Sequence, residues 1–341
     1  MNKKLIAIAV AAALAPAAAM ADITVYGRVH ASLDSTSGVA SNTNNLALND
    51  NSSRFGVKGS EALDGGLSAL FQLETGVSYS GTATTFANGN RDSYIGLTGG
   101  FGTFLAGRLP AANQFVYDSN LFGDQLGDAA NFTNVGTPGR ATSALHYVAP
   151  AFGPVTVALT VLTASAMSDN GLAPGKTSPG IKVSYADNGV TASLTTFSLS
   201  NGAASETKMA PLSLAGSYDF GMGKVSAQYV KAKTTVGGAD ANTTKVINVG
   251  ASFKVSDNDT AKVQISKASE SLSAASDGAT MLAVGFDHAL SKKTGVYVVY
   301  AKVSNDAAGT YTMDNWGHQS RLTVAAGEDP SGFGVGLTHN F

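Results

Sequence analysis

The chain has 341 residues, of which only 13% are charged, with 22 basic against 24 acidic side chains and no cysteine. A formal net charge of −2 argues against a nucleic-acid partner. The lack of cysteine excludes disulfides, a thiol nucleophile and a thiolate metal site.

The first 21 residues read as a cleavable secretion signal. Lys3 and Lys4 give a positive start, residues 5–15 are apolar, Pro16 breaks the run, and Ala19-Met20-Ala21 supplies the small-x-small pattern of a cleavage site. An N-terminal anchor is the competing reading, but the apolar core is short of the roughly 20 residues that span a bilayer. No later stretch approaches an apolar transmembrane helix. The expected organisation is a signal over 1–21 and one domain over 22–341.

From Asp22 onward the hydrophobic period is two. Ile23, Val25, Val29, Ala31 and Leu33 fall on one face, and Thr24, Tyr26, Arg28, His30 and Ser32 on the other. A strand makes this split, because successive side chains point to opposite faces. The pattern returns in 245–253, 261–266 and 295–303.

The breaks between these runs alternate in length. Short ones fall at 64–66, 99–102, 150–154, 187–189, 221–223, 256–259 and 291–293; most hold Gly or Asn, which supply positive φ in tight turns. Long ones, rich in Ser, Thr, Asn, Gly and Ala, fall at 35–50, 81–90, 110–139, 164–178, 201–210, 236–242, 270–278 and 305–329. Seven short turns and eight long loops join sixteen strands. An even strand number, short turns at one end, long loops at the other, and one apolar and one polar face per strand predict an all-β, 16-stranded antiparallel transmembrane barrel of an outer membrane. A soluble sandwich would instead hide its apolar faces between two sheets. The last segment, 333–341, alternates Phe333, Val335, Leu337, His339 and Phe341, and is predicted to close against the first strand.

Several of these segments resemble the general trimeric porins of Gram-negative bacteria, especially the neisserial and β-proteobacterial branch. Val25-Tyr-Gly-Arg28 is similar to that family's first strand. Residues 53–74 resemble its second and third strands, and 91–97 and 101–108 its fourth and fifth. Gly336-Leu-Thr-His-Asn-Phe341 resembles the closing strand, while 161–330 follows the family by turn rhythm alone.

The resemblance implies a homotrimer whose third external loop, here 110–139, folds inward as a constriction. It implies a basic wall of Arg28, Arg54, Arg91 and Arg140 facing loop acids, for which Asp118, Asp124 and Asp128 are the candidates. Lys58 and Arg108 are further lumen candidates. The enteric Pro-Glu-Phe-Gly-Gly signature is replaced here by Leu121-Phe-Gly-Asp124. Opposed charges across a narrow lumen make a transverse field that orients water and dipolar solutes. By alternation Arg28, Arg54 and Lys58 face the lumen, whereas Arg91 shares the parity of Ile95 and Leu97. The competing reading of all four arginines is solvated charge at strand ends.

Neither a metal nor a cofactor is expected. The five histidines, His30, His146, His288, His318 and His339, lack metal-ligand spacing. Asp257/Asp259 and Asp118/Asp124 lack the rest of a Ca²⁺ set. No nucleophile elbow or phosphate loop is present. Tyr26, Tyr94, Tyr147, Tyr218, Tyr229, Tyr297 and Tyr300 are candidates for interfacial girdles. The expected function is passive diffusion of ions and small hydrophilic solutes, with outer-membrane lipid as surroundings. A barrel enzyme and an adhesin or receptor are the alternatives.

Overall fold

The computed structural model describes residues 22–40, 46–80, 91–110, 115, 117–135, 139–166, 175–318 and 322–341. The leader 1–21, the break 81–90 and parts of the breaks 35–50, 110–139, 164–178 and 305–329 lie outside the described residues.

The strands are β1 Asp22–Ser37, β2 Leu46–Asp50 continued by Arg54–Ala62, β3 Ser68–Gly76, β4 Ser93–Gly99, β5 Gly102–Pro110, β6 Arg140–Val148, β7 Val155–Leu162 and β8 Ser178–Asp187. They continue as β9 Val190–Phe197 with Leu199–Ser200, β10 Thr207–Asp219, β11 Gly223–Val236, β12 Ala239–Lys254, β13 Asp259–Ala268, β14 Ala279–Ala289, β15 Thr294–Asn305 and β16 Ser331–Asn340. Every neighbour pair is antiparallel, and sixteen strands form one sheet. The sheet closes on itself: Arg28 pairs with Asn340 and Ser37 with Ser331. Gly27 and Phe341 also exchange backbone hydrogen bonds. Closure leaves no sheet edge, so each strand finds its ladder partners within the protein.

The outer face is apolar and open to the surroundings, with Ile23, Val25, Leu73, Ile95, Val249, Ile265 and Val335 exposed. In a water-soluble fold such a continuous apolar surface would be buried. The inner face of β1 instead places His30, Ser32 and Asp34 in buried positions. Tyr218 and Tyr300 are exposed on the outer wall, as a girdle requires. Tyr26, Tyr94 and Tyr297 correct the girdle expectation: Tyr26 and Tyr297 carry the parity of lumenal residues, and all three engage polar partners inside.

Two predicted breaks are strand. Residues 46–50, read as loop, pair with β1. Between the pairs Arg28↔Arg54 and Ala31↔Asp50, β2 spends one residue more than β1, which is a bulge. Ser52 sits there with a φ of 55°. The extra residue flips the outward parity from Phe55 and Val57 to Leu46 and Leu48, so the alternation seemed to stop. The break at 236–242 is a tight turn at Gly237-Gly238, with φ of 58° and 86°. The polar residues after it still pair across the hairpin, as Thr235↔Asp240 and Lys233↔Thr243 do, with the register shifting by one residue between Thr234 and Thr235.

Candidate functional site

The loop between β5 and β6 folds into the barrel and is pinned to the far wall by side-chain amides. Gln228 of β11 donates to the Phe115 carbonyl at 2.7 Å. Asn248 of β12 donates to the Ser119 carbonyl at 3.1 Å and to its Oγ at 2.9 Å. Gln264 of β13 accepts from the Leu121 amide at 2.9 Å and donates to the Gly127 carbonyl at 3.2 Å. Lys262 adds bonds to the Leu121 carbonyl and to Gln125 Oε1, both at 3.1 Å. Amides carry both a donor and an acceptor, so a row of them can satisfy an irregular backbone that a sheet cannot. Phe122, Leu126 and Phe132 are buried under the loop. Gly127 lies at a φ of 78°, and a Cβ there would stand 2.6 Å from Ala283 Cβ. Only glycine allows this approach.

The last loop also enters the barrel, which the sequence reading did not foresee. Gly127 donates to the Met313 carbonyl at 2.9 Å, and the amides of Asn315 and Trp316 donate to Asn131 Oδ1. Ser52 at the β2 bulge donates to the Gly317 carbonyl at 2.9 Å. His318 Nε2 lies 2.8 Å from Asp34 Oδ2, and both side chains are buried.

The two loops leave a water-accessible section of about 690 Å³ against the wall of β1 to β6. Arg28, Arg54, Lys58, Arg91 and Arg140 line it, with Glu74, Asp92 and Asp124. Arg28 Nη1 meets Asp124 Oδ2 at 2.7 Å across the opening. Its Nη2 donates to His30 Nδ1 at 2.6 Å. A guanidinium has no acceptor, so His30 must carry its proton on Nε2 and donate to Tyr297 Oη at 2.8 Å. Arg28 is thus held from behind as well as in front.

Arg91 pairs with Glu74, which also accepts from Tyr26 Oη at 2.9 Å. Arg140 pairs with Asp92 at 2.5 Å. Arg91 precedes the first residue of β4, so the parity of Ile95 and Leu97 does not govern it. Arg54 and Lys58 have no carboxylate partner among the described residues, and Lys58 stands over the Tyr26 ring.

The other loop acids differ from expectation. Asp118 pairs with Lys182 of β8 at 2.6 Å and accepts from Ser193 of β9, away from the arginine wall. Asp128 is fully buried and turned into its own loop, accepting from Asn120 and from the amides of Asp124 and Ala130. Loop folding claimed this carboxylate before the lumen could. Arg108 is not among the residues lining the section. It opposes Ser93 just past Gly107, where the register of β5 with β6 shifts. Glu74 and Asp92 were missed because each sits next to an unremarkable strand end; the arginines they serve were the only available signal.

A closed barrel whose lumen is narrowed by an inward loop between opposed charges defines a channel-type outer-membrane barrel. The chain belongs to the Gram-negative porin family, whose family model matches residues 7–308. It is 36% identical over 159 residues to the major outer membrane protein P.IB of Neisseria meningitidis serogroup B, covering 45% of this chain and 46% of that protein. It is 42% identical over 135 residues to the P.IB protein of Neisseria gonorrhoeae, covering 36% of this chain and 38% of that one. The matches thus span less than half the length of these relatives. An anion-selective porin from Comamonas acidovorans superposes with a TM-score of 0.82 at 26% identity, over 94% of this chain and all of that one.

Proposed function

We propose that this chain is an outer-membrane diffusion channel that passes ions and small hydrophilic solutes, with a preference for anions, and performs no catalysis. One observation carries the reading: five basic side chains but three acidic ones line the narrow section, and Arg54 and Lys58 are those without a salt bridge among the described residues. The Debye length at physiological salt is about 8 Å, so charges lining a narrow lumen act on a permeating ion while the acidic total, spread over the chain, is screened. At about 5 Å in a water-like medium one unit charge contributes on the order of 1 kcal/mol. That is enough to set the sign of selectivity against a net charge of −2. The anion-selective relative supports the same sign.

The apolar wall near the first and last strands, with Val25, Leu73, Ile95 and Val335 exposed, suits contact between subunits of a homotrimer. The leader 1–21 would direct secretion and be removed after Ala21. Swelling of protein-loaded liposomes in small sugars tests the channel, and the reversal potential in a salt gradient tests its sign. An adhesin or an enzyme would give no swelling. An unheated detergent gel and light scattering test the trimer, and N-terminal sequencing tests the cleavage.

A further inference from the structure

The chain has one tryptophan, and the fold places it on the water-accessible section. Trp316 sits on the last loop, half-buried and packed in part against the buried apolar cluster. Its Nε1 donates to Tyr117 Oη of the inward loop at 3.4 Å. Tyr117 lines the same section and stays exposed. Neither ring is needed to hold the loop, because the Trp316 backbone amide already donates to Asn131 Oδ1 at 2.8 Å. Ring surface left in water costs free energy that the passage of hydrophilic solutes does not recover.

The indole shares the section with Arg54, the one arginine lining it that has no salt bridge among the described residues. Contacts on both sides fix this neighbourhood. Gly317, next in the chain after Trp316, lies at a φ of 65°, and a Cβ there would stand 2.2 Å from Asp124 Oδ1. Its carbonyl accepts from Ser52 Oγ at 2.9 Å, two residues before Arg54. Asp124 holds Arg28, and Arg28 is the direct cross-strand partner of Arg54. Side chains so paired have Cβ atoms about 5 Å apart. Aromatic surface and a guanidinium with no carboxylate of its own therefore border one cavity.

A guanidinium presents a planar fork of N–H donors that meets a carboxylate through two parallel hydrogen bonds. A ring carried by that carboxylate offers a face and an edge for offset or T-shaped contact with an indole and a phenol. An aliphatic acid satisfies the fork and leaves the rings unused. We propose that the section holds a subsite for aromatic monocarboxylates, with the carboxylate on Arg54 and the ring against Trp316 and Tyr117. The proposal rests on the anion-preferring channel above and deepens it: it adds a choice among anions of equal charge, which charge alone cannot make.

The test compares benzoate, cyclohexanecarboxylate and acetate, which carry the same charge. Each is added to single channels of the folded full-length barrel in potassium chloride, and the concentration dependence of current block gives an apparent Kd. In neutral detergent the emission of the sole tryptophan is titrated with the same three acids. Benzoate should block at about two- to tenfold lower concentration than cyclohexanecarboxylate, with acetate the weakest. Trp316 emission should change over the same range of benzoate concentration. W316L should bring benzoate and cyclohexanecarboxylate to within about twofold of each other, and W316F should keep part of the preference. R54Q should weaken all three acids and leave their order. Heat-shifted gel migration confirms that the variants are folded, and the wild-type comparison needs no variant. Equal block by benzoate and cyclohexanecarboxylate in the wild-type channel, an unchanged preference in W316L, or emission that ignores benzoate would each overturn the proposal. Chloride current and reversal potential without added acid read the channel itself. An anion-preferring pore with no preference for benzoate therefore sinks the subsite alone, whereas a barrel that carries no current but whose emission still answers to benzoate counts against the channel and supports the subsite.

Discussion

Arg28 on the first strand and Asp124 on the inward loop meet at 2.7 Å, and this ion pair is the one direct salt bridge between the loop and the arginine wall among the described residues. Asp124 reaches it from a left-handed backbone, φ 61°, a conformation that Asp tolerates better than most residues. The pair neutralises Arg28, so the excess positive charge falls to Arg54 and Lys58. Asp124→Asn should therefore raise anion preference, and Arg54→Gln should lower it, each changing the permeability ratio by about two- to fivefold. Reversal potentials in a salt gradient measure both. No shift in either variant would remove these residues from the ion path.

The amide row makes a separate prediction about loop position. Gly127 approaches Ala283 too closely for any side chain, and its amide also holds the last loop through Met313. Gly127→Val should displace both loops while the barrel stays closed. Single-channel conductance should rise and become noisier, with gel mobility of the folded barrel unchanged. Gln264→Leu, which removes two loop contacts without crowding, should move conductance the same way by a smaller amount.

How far the sequence was legible follows from which interactions are local. Alternation and turn length are local, so the strand number, the closure of Phe341 on Gly27 and the inward parity of Arg28 and Arg54 were readable. The β2 bulge was not, because one extra residue at Ser52 erases the alternation that marks a strand. Nor was the inward path of the last loop, which depends on Asn131 and Asp34 from distant parts of the chain. Asp118, Asp124 and Asp128 look alike in sequence. Only the fold of the loop separates a carboxylate facing Arg28 from one facing Lys182 and one facing its own backbone.

The pair of His318 with Asp34 latches the last loop inside the barrel. Asp34 Oδ2 also accepts from Ser32 and Asn49, so that oxygen keeps two donors on the wall side, while Oδ1 is buried without a hydrogen bond. His318→Ala leaves that carboxylate without its loop donor; removing the donor from a buried acceptor costs about 1–3 kcal/mol. The loop should detach, and larger sugars should enter liposomes faster. Asp34→Asn with His318→Ala should restore part of the barrel's heat stability, because no buried charge is then left behind. A double variant no more stable than the single one would show that the pair does not act as a latch.

Asp128 gives the last prediction, a dependence of loop docking on pH. Burial, and then the nearby Asp124 carboxylate, push its carboxyl from 3.8 up to about 7, while hydrogen bonds from the Asp124 and Ala130 amides and Asn120 oppose the rise. The docked loop therefore favours the protonated form relative to a loop released into water. A group whose pKa is raised in the folded state contributes stability that is fully present below its unfolded value and lost as pH rises through the folded value. Docking should be firmest below about pH 4 and should weaken progressively up to about pH 7. Single-channel records should show conductance fluctuations growing over that window and levelling off above it. Asp128→Asn keeps the size but cannot titrate. Its NH₂ group also faces one of the two backbone amides that Asp128 now accepts from. The variant should be noisier than the wild-type channel at pH 4 and show no change in noise between pH 4 and 7. A wild-type channel whose noise is flat across this range would show that Asp128 keeps one protonation state in the docked loop and the released one alike.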